Sequence, residues 1–157
     1  MLDGTGTARV EVQRLDERAT LPVRKSELAA GFDLAACLPR GAFESGSITL
    51  APGERVAVPT GLALAIPAGF EGQIRPRSGL AMRHGITVVN APGTIDADYR
   101  GELQVALVNL SREAFEISHG DRVAQLVIAA VAPVAFVEAS ELSETARGVG
   151  GFGSTGV

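Results

Sequence analysis

The sequence is poor in several features that mark whole classes of protein. It has one cysteine, no tryptophan, and an aromatic share of 4% among its 157 residues. A single cysteine excludes an intramolecular disulfide, and residues 1–10 lack the basic-then-apolar pattern of a secretory signal, so we expect a reducing, cytoplasmic compartment. The scarcity of aromatics leaves the core to Val, Leu, Ile and Ala, which suit short strands.

The sequence also has no excess of positive charge and no long apolar run. Its net charge of -4 argues against broad electrostatic attraction to DNA or RNA. The longest uncharged apolar run, residues 126–137, is interrupted by Pro133 and is well short of the roughly 20 residues that a membrane-spanning helix needs. We therefore expect one soluble domain with no nucleic-acid or membrane partner, in which local cations hold any anionic ligand.

Apolar segments recur along the chain and are separated by turn-forming residues. The separators, such as "LPRG", "APGE" and "SHGD", contain Gly, which tolerates positive φ, and often Pro, which fixes φ. Strands are predicted at residues 10–15, 32–38, 47–50, 55–58, 62–66, 71–75, 86–90, 102–110, 122–131 and 134–138. Alternation is clearest in "ELQVALVNL", where Leu103, Val105 and Leu107 share one face. With one short helix at residues 78–85, this pattern indicates an all-β sandwich or barrel.

The end of the sequence has a different character. From residue 140 onward it loses apolar periodicity and becomes small, polar and glycine-rich. Residues 151–156 match G-x-G-x-x-G, the phosphate-binding fingerprint of dinucleotide-binding folds, but the strand and helix that must flank that fingerprint are missing. Taken alone, the segment is typical of a frayed terminus.

Two stretches place charged side chains on or beside predicted strands. Asp33 interrupts the apolar strand "AGFDLAA" and is either an ion-paired or turn-capping structural group or an acceptor at a site. In "RPRSGLA", Arg75 and Arg77 lead into Ser78, a natural N-cap for the predicted helix. The two arginines are either a solvated strand end or part of a phosphate site, in which guanidinium groups and a helix N-terminus bind the same anion.

Two further stretches carry polar groups that a plain β-domain does not require. "NAPGTIDADYRGE" combines hairpin-turn residues with Asp96 and Asp98, a spacing typical of a loop turn, a metal site or a general base with a partner. In "RVAQLVI", Gln125 interrupts an apolar run. Burying its amide without a partner costs about 1–3 kcal/mol, so we expect it to bond with backbone, a ligand or water.

Together, and in this order, these stretches resemble the five motifs of the trimeric dUTPase family. The five are "AGFDLAA", "RPRSGLA", "NAPGTIDADYRGE", "RVAQLVI" and "RGVGGFGSTG", and they span essentially the whole chain. The resemblance implies a jelly-roll-like antiparallel β-barrel that forms a homotrimer with active sites at subunit contacts. It implies a barrel domain, residues 1–139, followed by a flexible glycine-rich C-terminal arm, residues 140–157, which closes over bound nucleotide.

The resemblance also implies an enzyme, a dUTP diphosphatase. Members of the family hydrolyse dUTP to dUMP and pyrophosphate, usually with Mg²⁺, which limits uracil in DNA and supplies dUMP for thymidylate synthesis. The alternatives are a dCTP deaminase-like enzyme and a dUTP-sensing regulatory protein of the same fold. The stretch "TIDADYRGE", with Asp96 and Tyr99, has the hydrolase form, and the chain has no long insertion that would indicate a regulatory partner.

Individual roles follow from the resemblance. Asp96 would be the general base for water attacking the α-phosphorus, Gln125 would help to hold that water, and Ser78 would lie near the α,β-bridging oxygen. Asp33 would support Mg²⁺ indirectly, through water. The implied substrate-binding residues are Arg77, Ser78, Gly79, Asn90, Gly93, Thr94, Ile95, Asp96, Tyr99, Gln125, Arg147, Phe152, Gly153, Ser154 and Thr155. No role is assigned to Asp98, His84, His119 or Cys37.

Overall fold

Antiparallel strands account for nearly all the regular structure. The computed structural model describes residues 7–41 and 46–151. Its elements, in chain order, are β1 Glu11–Arg14, β2 Phe32–Ala35, β3 Ser47–Leu50, β4 Arg55–Ala65, β5 Phe70–Arg75, α1 Ser78–His84, β6 Ile86–Val88, β7 Gly93–Ile95, β8 Glu102–Asn109, β9 Phe115–Ser118 and β10 Arg122–Ala130. Within that part of the chain, one sheet has the order β1-β4-β8-β6, a second has β2-β10-β5-β7, and β3 pairs with β9. The predicted all-β antiparallel class with one short helix is confirmed.

Side chains from both four-stranded sheets meet in a shared aliphatic core. Leu103, Val105 and Leu107 of β8 are fully buried, which confirms the alternation predicted for that strand. They belong to the same cluster as Ile74 of β5 and Leu126 of β10. Because full burial of a Leu, Ile or Val side chain contributes about 1.5–3 kcal/mol, aliphatic residues supply most of this stabilisation, and the phenylalanines that pack against the cluster are only partly buried.

Several strand predictions need correction. Residues 55–58 and 62–66 form one strand, β4, because its ladder with β8 continues past Pro59 through a register shift. Two strands were missed: β7, three residues that begin within the turn stretch "APG", and β9, four residues next to the turn stretch "SHGD". Residues 134–138 form no strand in the described chain, because the chain leaves the second sheet when β10 ends at Ala130 and meets no other edge.

The single described helix was predicted nearly to the residue, but its cap was not. Helix α1 ends at Gly85, whose φ of 64° and N–H donation to the Ala81 carbonyl close the last turn. The N-cap is Arg77, which makes no side-chain capping hydrogen bond. The prediction that Ser78 caps the helix is therefore wrong, since Ser78 is the first helical residue. No helix in the described residues is long and apolar enough to cross a membrane.

Candidate functional site

A row of three polar residues crosses the second sheet. Antiparallel register places Gln125 of β10 opposite Asp33 of β2 on one side and opposite Arg75 of β5 on the other. Their chain neighbours Leu126 and Ile74 are buried in the core. Because successive side chains in a strand point to opposite faces, the row lies on the face away from the core. Three of the sequence motifs therefore meet on one surface.

Asp33 holds two arginine side chains beside this row. The Nη1 atom of Arg122 donates to Oδ2 of Asp33 at 2.8 Å, and Nε of Arg77 lies 3.5 Å from Oδ1. Arg77 also donates from Nη1 to the main-chain carbonyl of Arg122 at 2.7 Å. Two guanidinium groups against one carboxylate leave one net positive charge, held in a fixed geometry suited to phosphate oxygens.

The first turn of α1 lies next to the two arginines. Ser78 is exposed and directly follows Arg77, so its hydroxyl is available to a ligand. A Cβ atom on Gly79 would lie 2.9 Å from Nη2 of Arg83, so the Arg83 guanidinium folds back over the start of its own helix. The predicted residues Arg77, Ser78 and Gly79 are thus flanked by a further cation.

Gln125 is half-buried and has a definite partner. Its Nε2 atom donates to the main-chain carbonyl of Pro76 at 3.0 Å, which ties β10 to the segment between β5 and α1. The sequence left backbone, ligand and water open as partners of this amide. The backbone satisfies one N–H, and the rest of the carboxamide remains available to a ligand or water.

The turn at residues 89–92 connects two sheets. We predicted a hairpin there, but β6 pairs with β8 in the first sheet, whereas β7 pairs with β5 in the second. The segment is therefore a corner, because turn residues alone do not determine which strand their neighbours pair with. The side-chain amide of Asn90 lies over Gly93, where a Cβ atom would be 3.2 Å from Nδ2.

Residues after this corner line a cleft of about 180 Å³. Its walls are Thr94, Ile95, Asp96, Tyr99, Glu102 and Gln104. The Tyr99 hydroxyl donates to the Glu102 carbonyl at 3.0 Å, and a Cβ atom on Gly101 would lie 2.6 Å from Cζ of that ring. The missing side chain at Gly101 therefore permits the position of Tyr99. Asp96 is exposed at the mouth of the cleft.

Asp96 lies at the opposite end of β5 from Gln125 and the two arginines that Asp33 holds. Ile95 pairs with Gly72, so Asp96 extends beyond that pair and lines a second cleft together with Glu71. Gln125, in contrast, pairs with Arg75. From residue 71 to residue 75 a strand rises about 13 Å. One copy of the chain thus brings Asp33, Arg77, Ser78, Arg122 and Gln125 together but keeps Asp96 and Tyr99 apart from them.

The chain beyond β10 is exposed and makes mostly local contacts. The N–H of Val131 donates to the Gly69 carbonyl, and residues 131–149 are exposed throughout. Arg147 donates from Nε to the Gly150 carbonyl at 2.8 Å, within its own turn. Phe152, Gly153, Ser154 and Thr155, which were predicted to contact substrate, lie outside the described residues.

The described residues contain no group of three His, Cys, Asp or Glu side chains that could hold a metal ion. Both carboxylate oxygens of Asp33 already face guanidinium groups. The arrangement fits Mg²⁺ that arrives with a phosphate ligand, because this ion keeps several waters and takes few protein oxygens in such sites. Asp33 retains lone pairs that can accept hydrogen bonds from metal-bound water.

Arg122 was not predicted as a site residue. It lies in the stretch "RVAQLVI", three residues before Gln125. The glutamine was predicted because it interrupts an apolar run, whereas the arginine precedes that run. The available signal was the presence of a cation in a motif that the resemblance had already assigned to the active site. Its partner Asp33 is 89 positions away in sequence, so only the pairing of β10 with β2 reveals the contact.

Comparison with known proteins places this geometry in context. A family model described as dUTPase matches residues 17–156. The chain is 57% identical over 144 residues to a deoxyuridine 5'-triphosphate nucleotidohydrolase of Desulfotalea psychrophila, covering 92% of each protein. It is 54% identical over 150 residues to the protein of that name in Syntrophotalea carbinolica, covering 96% of this chain and 98% of the relative.

Solved structures share the fold. A structure of the dUTPase of Staphylococcus bacteriophage 80alpha with dUPNHPP is similar with a TM-score of 0.84 and 26% identity, covering 96% of this chain and all of that one. A variant of the phage phi11 dUTPase from S. aureus, described with a structural Mg(II) ion, has a TM-score of 0.73 and 24% identity, covering 85% of this chain and 97% of that one. At that identity the second likeness shows the fold alone.

Proposed function

Because this chain belongs to the dUTPase family and hydrolyses dUTP to dUMP and pyrophosphate, we propose that each active site combines side chains from two copies of the chain. One copy supplies the base side, which we define as residues 90–99. Another supplies the phosphate side, which we define as Asp33, Arg77, Ser78, Arg122 and Gln125. The observation that carries this proposal is the separation of Asp96 from Gln125 along β5.

Exposed apolar side chains beyond β10 support assembly into the homotrimer that the family resemblance implies. Phe136 is 99% exposed and Val134 is 71% exposed. An apolar groove of about 410 Å³ next to β1 and β10 includes Val10, Phe32 and Ile128 among its walls. Contiguous apolar surface of this kind is typical of a protein contact. Covering it with a second copy would remove it from water and bring the two halves of the site together.

In the proposed reaction, Asp96 takes a proton from a water molecule that attacks the α-phosphorus of dUTP in line. The new bond joins the water oxygen to the α-phosphorus, and the bond to the α,β-bridging oxygen breaks. Gln125 holds the water and contacts the α-phosphate. Ser78 donates a hydrogen bond to the bridging oxygen as negative charge grows there. A donor placed at such a point typically raises the rate by about 10²–10³. Arg77, oriented by Asp33, binds the phosphate chain.

The base side accounts for the choice of uracil and deoxyribose. Main-chain groups of Gly93, Thr94 and Ile95, with the Asn90 amide, present a fixed pattern of donors and acceptors to the pairing edge. Cytosine reverses that pattern at N3 and C4 and would leave buried polar groups unpaired, which is strongly disfavoured. The Tyr99 ring, held by its hydrogen bond to the Glu102 carbonyl, would contact deoxyribose and exclude a 2′-hydroxyl.

Mg²⁺ enters this scheme as a companion of the substrate. When bound, it would neutralise charge on the phosphate chain and help to orient it. Asp33 is the residue that we expect to contact the metal's water shell, without direct coordination. The cytoplasmic location expected from the sequence also remains part of this proposal.

We further propose that residues 140–157 close over the nucleotide at a neighbouring copy's site. Arg147 would bind the γ-phosphate, Phe152 would stack on uracil, and Ser154 and Thr155 would donate hydroxyls to the terminal phosphates beside Gly153. The exposure of residues 131–149 on their own copy supports such a reach. Glycines in the arm permit close backbone approach at an entropic cost that ligand contacts offset.

Complementation between inactive variants tests the two-copy site. Asp96→Asn should lose pyrophosphate release from dUTP, and Gln125→Ala should retain only a small residual rate that can still be measured. When the two are unfolded, mixed in equal amounts and refolded together, sites with one intact half from each variant should recover about a quarter of the wild-type rate. Persistent turnover in Asp96→Asn alone would contradict the assigned base.

A matched mixture provides the control. Arg77→Ala and Gln125→Ala alter the same side of the site, so no combination of these two chains restores an intact half. That mixture should show no recovery above the residual rates of the two single variants. Equal recovery in both mixtures, or none in either, would contradict assembly from two copies.

The alternative of a dCTP deaminase-like enzyme has less support. Glu102 is the glutamate that lines the cleft, and its Oε1 accepts a hydrogen bond from the Gly61 N–H at 2.8 Å. The Glu102 carboxylate is therefore occupied by a hydrogen bond from the main chain. We expect no ammonia release when dCTP is supplied in place of dUTP. No contact within the described residues favours the alternative of a dUTP-sensing regulatory protein.

A further inference from the structure

Gly31 occupies a position where the neighbouring strand leaves no room for a side chain. A Cβ atom there would overlap Oε1 of Gln125 and lie 3.2 Å from its Cδ and 3.3 Å from its Cβ. Gly31 lies two residues before Asp33, on the same face of the second sheet, and diagonal to Gln125 across the β2–β10 pair. The close approach thus follows from sheet register.

The backbone itself does not require glycine at this position. Eight described glycines adopt positive φ, among them Gly61 and Gly85, and Gly31 is not one of them. An alanine could therefore adopt the same backbone conformation. What excludes a side chain is the Gln125 carboxamide.

The carboxamide has a defined orientation. Because Nε2 of Gln125 donates to the Pro76 carbonyl, Oε1 is the atom that faces Gly31. Within the described residues, Oε1 accepts no hydrogen bond. An amide oxygen is an acceptor only, so it can bind a water proton but not a bare phosphate oxygen.

We propose that Gly31 is a positioning residue that keeps open the space in which the Gln125 amide oxygen binds the attacking water. This inference rests on the proposed function, because it assigns a reason to the geometry of a residue placed in that mechanism. A side chain at position 31 would turn the amide away, since the end of a glutamine moves more easily than the two paired strands. Substrate contacts made by Arg77 and Ser78 would stay in place.

Steady-state kinetics of Gly31→Ala with dUTP test the idea. We expect kcat to fall about 10- to 100-fold, as is typical when a reacting group is misplaced by about 1 Å, with KM within about twofold of wild type. Ala30→Ser adds one atom at the adjacent exposed residue and should leave both constants unchanged. A rise in KM with an unchanged kcat would indicate a clash with substrate and would overturn the proposal.

A double-mutant cycle separates this role from a general structural one. If Gly31 acts through Gln125, adding Gly31→Ala to Gln125→Ala should cause no further loss of kcat, so the two effects are strongly non-additive. An undiminished loss in that background would overturn the proposal. The comparison uses ratios between variants of an active enzyme. A wild-type protein that released no pyrophosphate would instead contradict the proposed function itself.

Thermal unfolding of the same four proteins covers the case in which Gly31→Ala folds poorly. Gln125→Ala removes Oε1 and Cδ, and with them the overlap, and leaves only the contact with Cβ at 3.3 Å. Adding Gly31→Ala to Gln125→Ala should therefore lower Tm much less than Gly31→Ala lowers it in the wild type. A loss of Tm that persists in full in the double variant would show that position 31 serves the backbone, and would contradict the proposal.

Discussion

Arg122 donates a hydrogen bond to Asp33 at 2.8 Å, and this contact joins the first and fourth sequence motifs. Arg77 from the second motif completes the group through the other carboxylate oxygen. One acidic side chain thereby orients two cations that would otherwise sample many rotamers. In a chain with a net charge of -4, this local concentration of positive charge is what a triphosphate requires.

Asp33→Asn should weaken dUTP turnover by releasing both arginines. Loss of a hydrogen bond between charged groups is worth about 1.5–3 kcal/mol, so kcat/KM should fall by about 10- to 100-fold. Asp98→Asn changes the same charge at an exposed residue with no assigned role and should have little effect. Steady-state assays of pyrophosphate release compare the two, and equal effects would contradict an organising role for Asp33.

Tyr99→Ala should relax the preference for deoxyribose. Without the ring, a 2′-hydroxyl meets no barrier, so the ratio of kcat/KM for dUTP to that for UTP should fall by about tenfold or more. Tyr99→Phe retains the ring and should keep most of the preference. Gly101→Ala should resemble Tyr99→Ala, because its Cβ atom would overlap the ring position. An unchanged ratio in Tyr99→Ala would place sugar selection elsewhere.

Truncation after residue 146 should leave the folded domain intact while reducing turnover. The removed segment includes Arg147 and Phe152, whereas the core cluster lies wholly before it. Circular dichroism and Tm at matched protein concentration should match the full chain. The fall in kcat/KM with dUTP checks the closing role of the arm, which an unchanged value would refute.

Asn109→Ala should destabilise the fold without directly altering the site. The fully buried Asn109 amide donates to the carbonyls of Leu50 and Glu113 and accepts from the Ser111 N–H. Losing these partners should cost about 2–5 kcal/mol in the free energy of unfolding, measured by denaturant titration. Leu110→Ala, at the next and exposed residue, is the control. A cost below that control would contradict the buried network.

Acid should remove one specific contribution to stability. Hydrogen bonds from Arg18 lower the pKa of Asp16 from 3.8 to about 2. A depressed carboxyl pKa stabilises the fold above the unfolded value, and this contribution is lost as pH falls from about 4 to about 2. The Tm of wild type should exceed that of Asp16→Asn at pH 6, and the difference should vanish near pH 2. Glu17→Gln, which removes the acid of a more exposed ion pair, is the control and should change Tm little at pH 6.

Much of the fold was predictable because turn residues and aliphatic segments carry local information. Gly85 ended the helix and residues 47–50 formed the predicted strand. Pro59 was predicted to separate two strands, but β4 continues through it, with a register shift between Pro59 and Ala63.

The candidate site was predictable as a set of residues but not as an arrangement. The order of the motifs indicated Asp33, Ser78, Asp96 and Gln125 as candidates through the family resemblance, and their roles stay predictions. It did not reveal that Arg122 pairs with Asp33, or that Gly31 makes room for Gln125. The boundary at residues 139 and 140 stays a prediction, since the last described strand already ends at Ala130.

The sequence by itself determined the chemical groups, the aliphatic core and most turns, because these depend on residue type and near neighbours. Only the tertiary structure decided which groups meet. Cross-strand register joins residues that are tens of positions apart, and it sends the two sides of the corner at residues 89–92 to different sheets. For the same reason Asp96 and Gln125, both visible in the sequence, lie at opposite ends of β5, a separation that no local pattern encodes.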